Sequence, residues 1–215
     1  MLGRHTINHS FYFRRTLANA GGPTPLVSNC IVLHIPDSME GIFQTLKDAA
    51  LLQKAGSGLG FPLHLMRPAG SVTEASYGNA SGPVSFLQVY NTAFGVIKQQ
   101  NRHGANMAVM RVDHPDILEF VHCKDAEGDL CNFNVSIGLT DDFMEQVQSG
   151  TSDSWYCTWN GQRVLPRRIK RDARFAYESH EDVEMSARDM FQEIVKSAWS
   201  TGKCNGLAIE FVHDL

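Results

Sequence analysis

Short apolar runs alternate with segments of helical spacing along almost the whole chain. NCIVLH (29–34), GFPLHLM (60–66), NMAVMRV (106–112), NFNVSIGL (132–139) and LAIEFV (207–212) are brief and apolar, as strands buried on both faces must be. After the first run, Asp37 and Ser38 offer a helix N-cap, and Glu40 stands three residues beyond Asp37 as in a capping box. Met39, Ile42, Phe43, Leu46, Ala49, Ala50 and Leu52 then recur with helical spacing, and Gly56 can close that helix. Ser81 is placed to cap a second helix, with Pro83 in its first turn and Val84, Leu87, Tyr90, Phe94 and Ile97 as its apolar stripe. Asp113 is placed to cap a short helix containing Pro115, Thr140 to cap DDFMEQV, and a last long helix is expected over 183–200. WYCTWNGQRVLP predicts a hairpin, and RRIKR (167–171) a solvated basic run. Strands alternating with helices demand a parallel sheet built from right-handed crossovers. The last strand is followed by no helix in the sequence, so we expect an α/β fold that forms part of a larger barrel or sheet.

The formal net charge of -4 excludes a general affinity for DNA or RNA, so any nucleotide must be held by a local site. No apolar run reaches the length of a membrane span. Five cysteines, at 30, 123, 131, 157 and 204, with no secretory leader, argue for a reducing compartment, and the cytoplasm is expected. No pair makes a CxxC and no Cys/His spacing resembles a zinc site, so no metal ligand is assigned. Cys123 and Cys131 bracket the polar turn KDAEGDL and are expected to be plain buried or loop thiols. The first 36 residues lack Asp and Glu and carry Arg4, Arg14 and Arg15, which suits either a transit peptide or a short irregular N-terminal segment.

Several segments in order resemble the ribonucleotide reductase large-chain family. They are RTLANAGG (15–22), SNCIVL (28–33), IPDS (35–38), KAGSGLGF (54–61), RPAG (67–70), ASGPVSF (80–86), RHGANMAVMRVDHPDI (102–117) and NFNVSIGLTDDFM (132–144), with TGKCNGLAIEF (201–211) a looser match. The wording of ASGPVSF and RVDHPDI is closest to the adenosylcobalamin-dependent branch. The resemblance implies the first half of a ten-stranded α/β barrel over residues 15–215, about five mostly parallel strands with outer helices, preceded by an irregular segment at 1–14. It also implies deoxyribonucleotide synthesis for DNA replication, in which a thiyl radical, a pair of reducing thiols and a carboxylate replace the ribose 2′-hydroxyl by hydrogen. A thiol pair suits that task because it yields two electrons and closes to a disulfide that a thioredoxin-like dithiol can reopen.

By this resemblance Cys30 is one of the two reducing thiols. Thr16, Ser28, Asn29, Ser57 and Gly58 match positions that hold the substrate's phosphate and ribose, where glycine permits close backbone approach. The family often has Ser where this chain has Asn29. Read alone, GSGLG is a plain glycine-rich turn and Cys30 a core residue. Asp37 and Ser38 match the helix start that contacts a deoxynucleotide or ATP effector. Arg67 matches a phosphate ligand, for which a planar guanidinium is apt. Without the resemblance, Asp37 is a helix cap and Arg67 a surface cation. Lys98, Gln99 and Arg102 lie in the loop 98–104, matching the segment that carries the effector's message to the substrate, with Arg102 the candidate for a substrate contact. This loop departs from the family: it has QQNRH where a glycine pair and arginines are usual.

The family's radical thiol sits in Asn-x-Cys-x-Glu, and none of the five cysteines has Asn two residues before it. Two readings of different kind therefore stand. One is a working part of a reductase, in a homodimer or with a complementing chain. The other is a non-catalytic nucleotide-binding fragment of the same family. On either, the isolated chain is expected to be inactive. A glycyl-radical relative with a similar barrel fits the motifs less well.

Overall fold

The computed structural model describes residues 30–54, 57–73, 78–97, 105–125, 130–151, 153–172, 175–200 and 207–211. The expected segment 1–14, Thr16, Ser28, Asn29, Gly56, Lys98, Gln99, Arg102 and Cys204 lie outside the described residues.

Five strands form one sheet: β1 (Cys30–Val32), β2 (Gly58–Pro62), β3 (Asn106–Arg111), β4 (Asn134–Leu139) and β9 (Leu207–Phe211). Their order is β1-β2-β3-β4-β9 and every pairing is parallel. Each apolar run expected to be a strand is one. An order that never reverses means that right-handed crossovers all carry their helices to the same face. The other face is left for a barrel interior. The chain therefore has an α/β fold of the expected half-barrel kind.

The helices are α1 (Met39–Lys54), α2 (Pro83–Val96), α3 (Ile117–Val121), α4 (Asp141–Ser149) and α5 (Ala187–Ser200). Between β4 and β9 lie two antiparallel hairpins, β5 (Cys157–Trp159) with β6 (Gln162–Val164) and β7 (Arg167–Arg171) with β8 (Tyr177–Asp182). The first is the expected hairpin, turning at Asn160 and Gly161, both with positive φ. The second corrects the reading of RRIKR as a solvated run. Ile169 is half-buried, and the arginines are paired: Arg171 with Glu119 and Arg168 with Glu193.

The core lies between the sheet and its helices. Phe61, Tyr90, Phe94 and Phe133 form an aromatic cluster with centroids 5.5 to 6.0 Å apart, and burying four such rings is a large share of the hydrophobic gain. The Tyr90 hydroxyl donates to Ile42 O at 2.6 Å, tying α2 to α1. In α1 the inward face is Ile42, Thr45, Ala49 and Gln53, so the expected stripe is rotated. Met39 and Phe43 are exposed. Two polar residues take the inner places because each has a partner there: Thr45 Oγ1 donates to His34 O, and Gln53 Nε2 to Asn106 Oδ1.

The caps follow the same rule of partners. Thr140 caps α4 as expected, accepting from Phe143 N. Ser38, rather than Asp37, caps α1, its Oγ accepting from Gly41 N at 3.1 Å. Ser81 does not cap α2; Gly82 takes that place with φ +82, and no side chain caps it. Asp113 does not cap α3, whose N-cap is Asp116, because Arg111 holds the Asp113 carboxylate at 2.7 Å.

Candidate functional site

The expected site residues fall at the two opposite ends of the parallel strands. At the N-terminal end, Cys30 pairs in register with Gly58, and Ile31 with Leu59. Paired residues in a parallel ladder share a face. Leu59 and Phe61 point into the helix-side core, so Cys30, Gly58, Val32 and Gly60 belong to the opposite face. Cys30 is exposed there and Val32 is 76% exposed. Ser57 is fully buried beside Gly58, and its N–H donates to Leu52 O at the end of α1. That N–H is committed to the helix and does not face a ligand. Cys30, Ser57 and Gly58 are thus brought together, and with Thr16, Ser28, Asn29 and Arg102 outside the described residues the rest of the expected substrate set is not assembled.

A buried chain of amides supports this end. Asn106 Oδ1 accepts from Gln53, and its Nδ2 donates to Asn132 O at 3.0 Å. Asn132 in turn meets Asn91 twice, donating from its N–H to Oδ1 and from its side chain to the Asn91 carbonyl. These residues fix where β3 and β4 begin, and the sequence reading passed over them. The available signal was a lone Asn at the head of an otherwise apolar strand, NMAVMR, since such a group must find a partner when buried.

At the C-terminal end of the strands, Asp37 follows β1 and Arg67 follows β2. Relieved of capping, Asp37 receives Arg67: Nε donates to Asp37 Oδ2 at 2.9 Å, Nη2 to the Asp37 carbonyl at 3.1 Å, and the Arg67 backbone N–H to Oδ1 at 3.2 Å. Both side chains remain about one-third exposed, at 36% and 31%. Among the described residues, Arg67 Nη1 has no hydrogen-bond acceptor. The two residues expected to share a site do meet, and Ser38 adjoins them as the cap of α1.

The loop that carries Arg67 is gripped by the DHPDI segment. The fully buried His114 donates from Nε2 to Met66 O at 3.0 Å, and its Nδ1 accepts from Asp116 N. Burial holds this imidazole neutral, with its pKa pushed down to about 4. Asp116 Oδ2 accepts from Ala69 N at 2.7 Å, while Oδ1 is buried without a partner. Burial raises the Asp116 carboxyl to about 7, against the pull of the Ala69 hydrogen bond.

The other thiols lie elsewhere. Cys157 is fully buried, and burial raises its pKa. Burial also pushes the half-buried Cys123 thiol up to about 12. Cys131 is exposed. Among the described residues no group of His, Cys, Asp and Glu is arranged to hold a metal ion, and no helix is long and apolar enough to cross a membrane.

Residues 28–209 match the family model described as "Ribonucleotide reductase, barrel domain". The chain is 39% identical over 189 residues to a vitamin B12-dependent ribonucleoside-diphosphate reductase of Thermoplasma acidophilum, covering 86% of this chain and 22% of that protein. It is 41% identical over 191 residues to a protein of the same name from Mycobacterium tuberculosis, covering 87% of this chain and 25% of the relative. It therefore spans about a quarter of the length of these curated relatives. In fold it is similar to the Actinobacillus ureae class Id ribonucleotide reductase alpha subunit, with a TM-score of 0.54 at 24% identity over 64% of this chain and 25% of that one.

Proposed function

Because this chain belongs to the ribonucleotide reductase family through its barrel domain, we propose that it forms part of a ribonucleoside di- or triphosphate reductase and supplies one reducing thiol, Cys30, with part of the substrate and effector sites. The observation that carries this reading is the register of an exposed Cys30 with Gly58 on the face of the sheet away from the helices, next to Ser57. A thiol there, beside a residue with no side chain, can lie against a ribose.

The chemistry asked of Cys30 is the delivery of half an electron pair. In the balanced reaction two thiols and a ribonucleotide give a disulfide, a deoxyribonucleotide and water: the 2′-hydroxyl leaves as water, and hydrogen takes its place. A thioredoxin-like dithiol then reopens the disulfide. No Asn-x-Cys-x-Glu occurs in this sequence, and on this reading the radical-bearing thiol and the second reducing thiol come from elsewhere in the working enzyme. The relatives' names point to adenosylcobalamin as the radical source. The residues around Cys30 do not make a corrin site by themselves, since they present glycine backbone and the exposed Val32.

The Asp37–Arg67 pair is proposed as the effector site. Arg67 Nη1 would take a phosphate oxygen, and Asp37 would accept from a sugar hydroxyl. Homodimerisation, a cytoplasmic location and signalling through the loop 98–104 belong to the same proposal.

The test uses Cys30→Ser in a complemented, active reductase. Multiple turnover with a dithiol should fall to a single turnover or less, and sustained turnover removes Cys30 from the reducing pair. The purified chain alone, given adenosylcobalamin and a dithiol, should form no deoxynucleotide. The reading as a non-catalytic fragment is favoured instead if complemented wild type is equally inactive while deoxynucleotide still binds.

A further inference from the structure

Three sequence segments far apart in the chain converge on one loop. RPAG (67–70) carries Arg67, GPVSF (82–86) begins α2, and DHPDI (113–117) lies between β3 and α3. Arg67 is bracketed by backbone contacts on both sides. One residue before it, Met66 O accepts from His114 Nε2, and two residues after it, Ala69 N donates to Asp116 Oδ2. A third contact comes from outside. Gly70 has φ +80, and a Cβ there would stand 2.6 Å from the hydroxyl oxygen of Tyr177 on β8, so the Tyr177 ring lies directly over the loop. Gly82 closes the node from below: a Cβ there would come within 2.9 Å of both Ala69 N and Asp116 Oδ2.

A buried carboxyl and a buried imidazole are costly to keep. Both here are spent on main-chain atoms of one loop. Neither touches the Asp37–Arg67 pair, whose contacts are with each other. Their effect on a ligand must therefore pass through the direction in which Arg67 leaves the backbone.

We propose that His114 and Asp116, with Tyr177 as an outer clamp, are the positioning residues of the Arg67 phosphate arm, and so set the affinity of that site for a deoxynucleoside triphosphate. This rests on reading Asp37–Arg67 as the effector site. A guanidinium that offers a phosphate one N–H edge loses most of its advantage if its plane is misdirected. Releasing either side of the loop leaves Arg67 charged and held by Asp37 alone.

The experiment titrates deoxythymidine triphosphate into the purified chain by calorimetry. Arg67→Ala should weaken binding at least about tenfold, the scale of one charge-assisted hydrogen bond. Asp116→Ala and His114→Ala should each weaken it about five- to tenfold by the same measure. Asp116→Asn keeps an acceptor oxygen and His114→Gln keeps an N–H near the place of Nε2, so both should restore affinity to within about twofold of wild type. Placed in the Arg67→Ala background, Asp116→Ala should add nothing, because its effect runs through Arg67. Wild-type affinity in both alanine variants overturns the proposal, as does an undiminished Asp116→Ala effect once Arg67 is gone. If Arg67→Ala itself binds normally, the effector reading fails and the proposal with it. Should an alanine variant not fold, Tyr177→Ala on the outer hairpin carries the test: a loss of about threefold supports the clamp, and unchanged affinity overturns it.

Discussion

The buried pair His114 and Asp116 titrates in opposite senses. The Asp116 carboxyl sits near 7 in the fold against an ordinary value of 3.8, faced by Glu119 and by Arg167 and Arg171. Between those two pH values the native state holds a proton that the unfolded chain has released, so stability falls as pH rises from about 4 to 7. His114 sits near 4 against 6.5, faced by Asp113, His64 and Arg167. Over that range the unfolded chain holds the proton, and stability rises with pH. The two slopes largely cancel from about 4 to 6.5 in the wild type, each being about 1.4 kcal/mol per pH unit at its limit. Urea midpoints measured from pH 4 to 8 should show this. Relative to wild type, Asp116→Asn should gain stability steadily toward pH 7, and His114→Gln should lose it toward pH 6.5. Parallel curves for all three proteins would show that neither group is titrating as described. None of this was legible in the sequence, where DHPDI looked like a capped helix start. An acid that caps a helix and an acid that is swallowed to hold a distant loop have the same one-letter code.

At the scale of elements, the strands were the most readable part. Each is a short apolar run with no competing helical period, and a five-stranded parallel sheet offers such runs one solution. Thr140 and the Asn160–Gly161 turn were equally plain, since their chemistry is local. Thr140→Ala should cost about 1 kcal/mol in a urea titration, the usual value of a lost N-cap. The misreadings were all tertiary. α1 turned its Thr45 and Gln53 inward because His34 and Asn106 waited for them. RRIKR became a strand because Glu119 and Glu193 stood opposite its arginines. Gly82, which received no reading of its own in the sequence, is a contact point at which no side chain fits. Its φ is positive, and the atoms that a Cβ would meet include the Ala69 backbone. Gly82→Ala should therefore cost about 2 kcal/mol or more, read as a lowered melting temperature. An unchanged midpoint would mean that the node is slack.

For the molecule as a whole, the half-barrel reading makes a prediction about its thiols. The described cysteines divide between exposed and shielded places. Cys30 and Cys131 should be alkylated quickly in the native chain at pH 8, while Cys157 and Cys123 should react only on unfolding, as mass spectrometry after timed iodoacetamide treatment would record. Rapid labelling of Cys157 would contradict the packing of its segment against the residue that follows β3, where Cys157 and Trp155 both reach the Val112 carbonyl. The site divides along similar lines of legibility. Cys30, Gly58, Asp37 and Arg67 were singled out from motif order, and they lie in two groups. What joins the second group to the rest of the fold is tertiary and has no local signature.

The strand order also says something about how such a chain is assembled. From β1 to β4, each strand lies against the one made just before it, so the sheet can grow one crossover unit at a time as the chain emerges. β9 is the exception. It must find β4 across α4, both hairpins and α5. Until it does, the edge of β4 is bare, with its amides and carbonyls facing water or another chain. Each hairpin pairs strands that are close in sequence, and α5 packs against α4. Synthesis order thus makes the intervening segment a ready-made escort for the last strand, and the interval before it docks is when this protein is most exposed to mispairing.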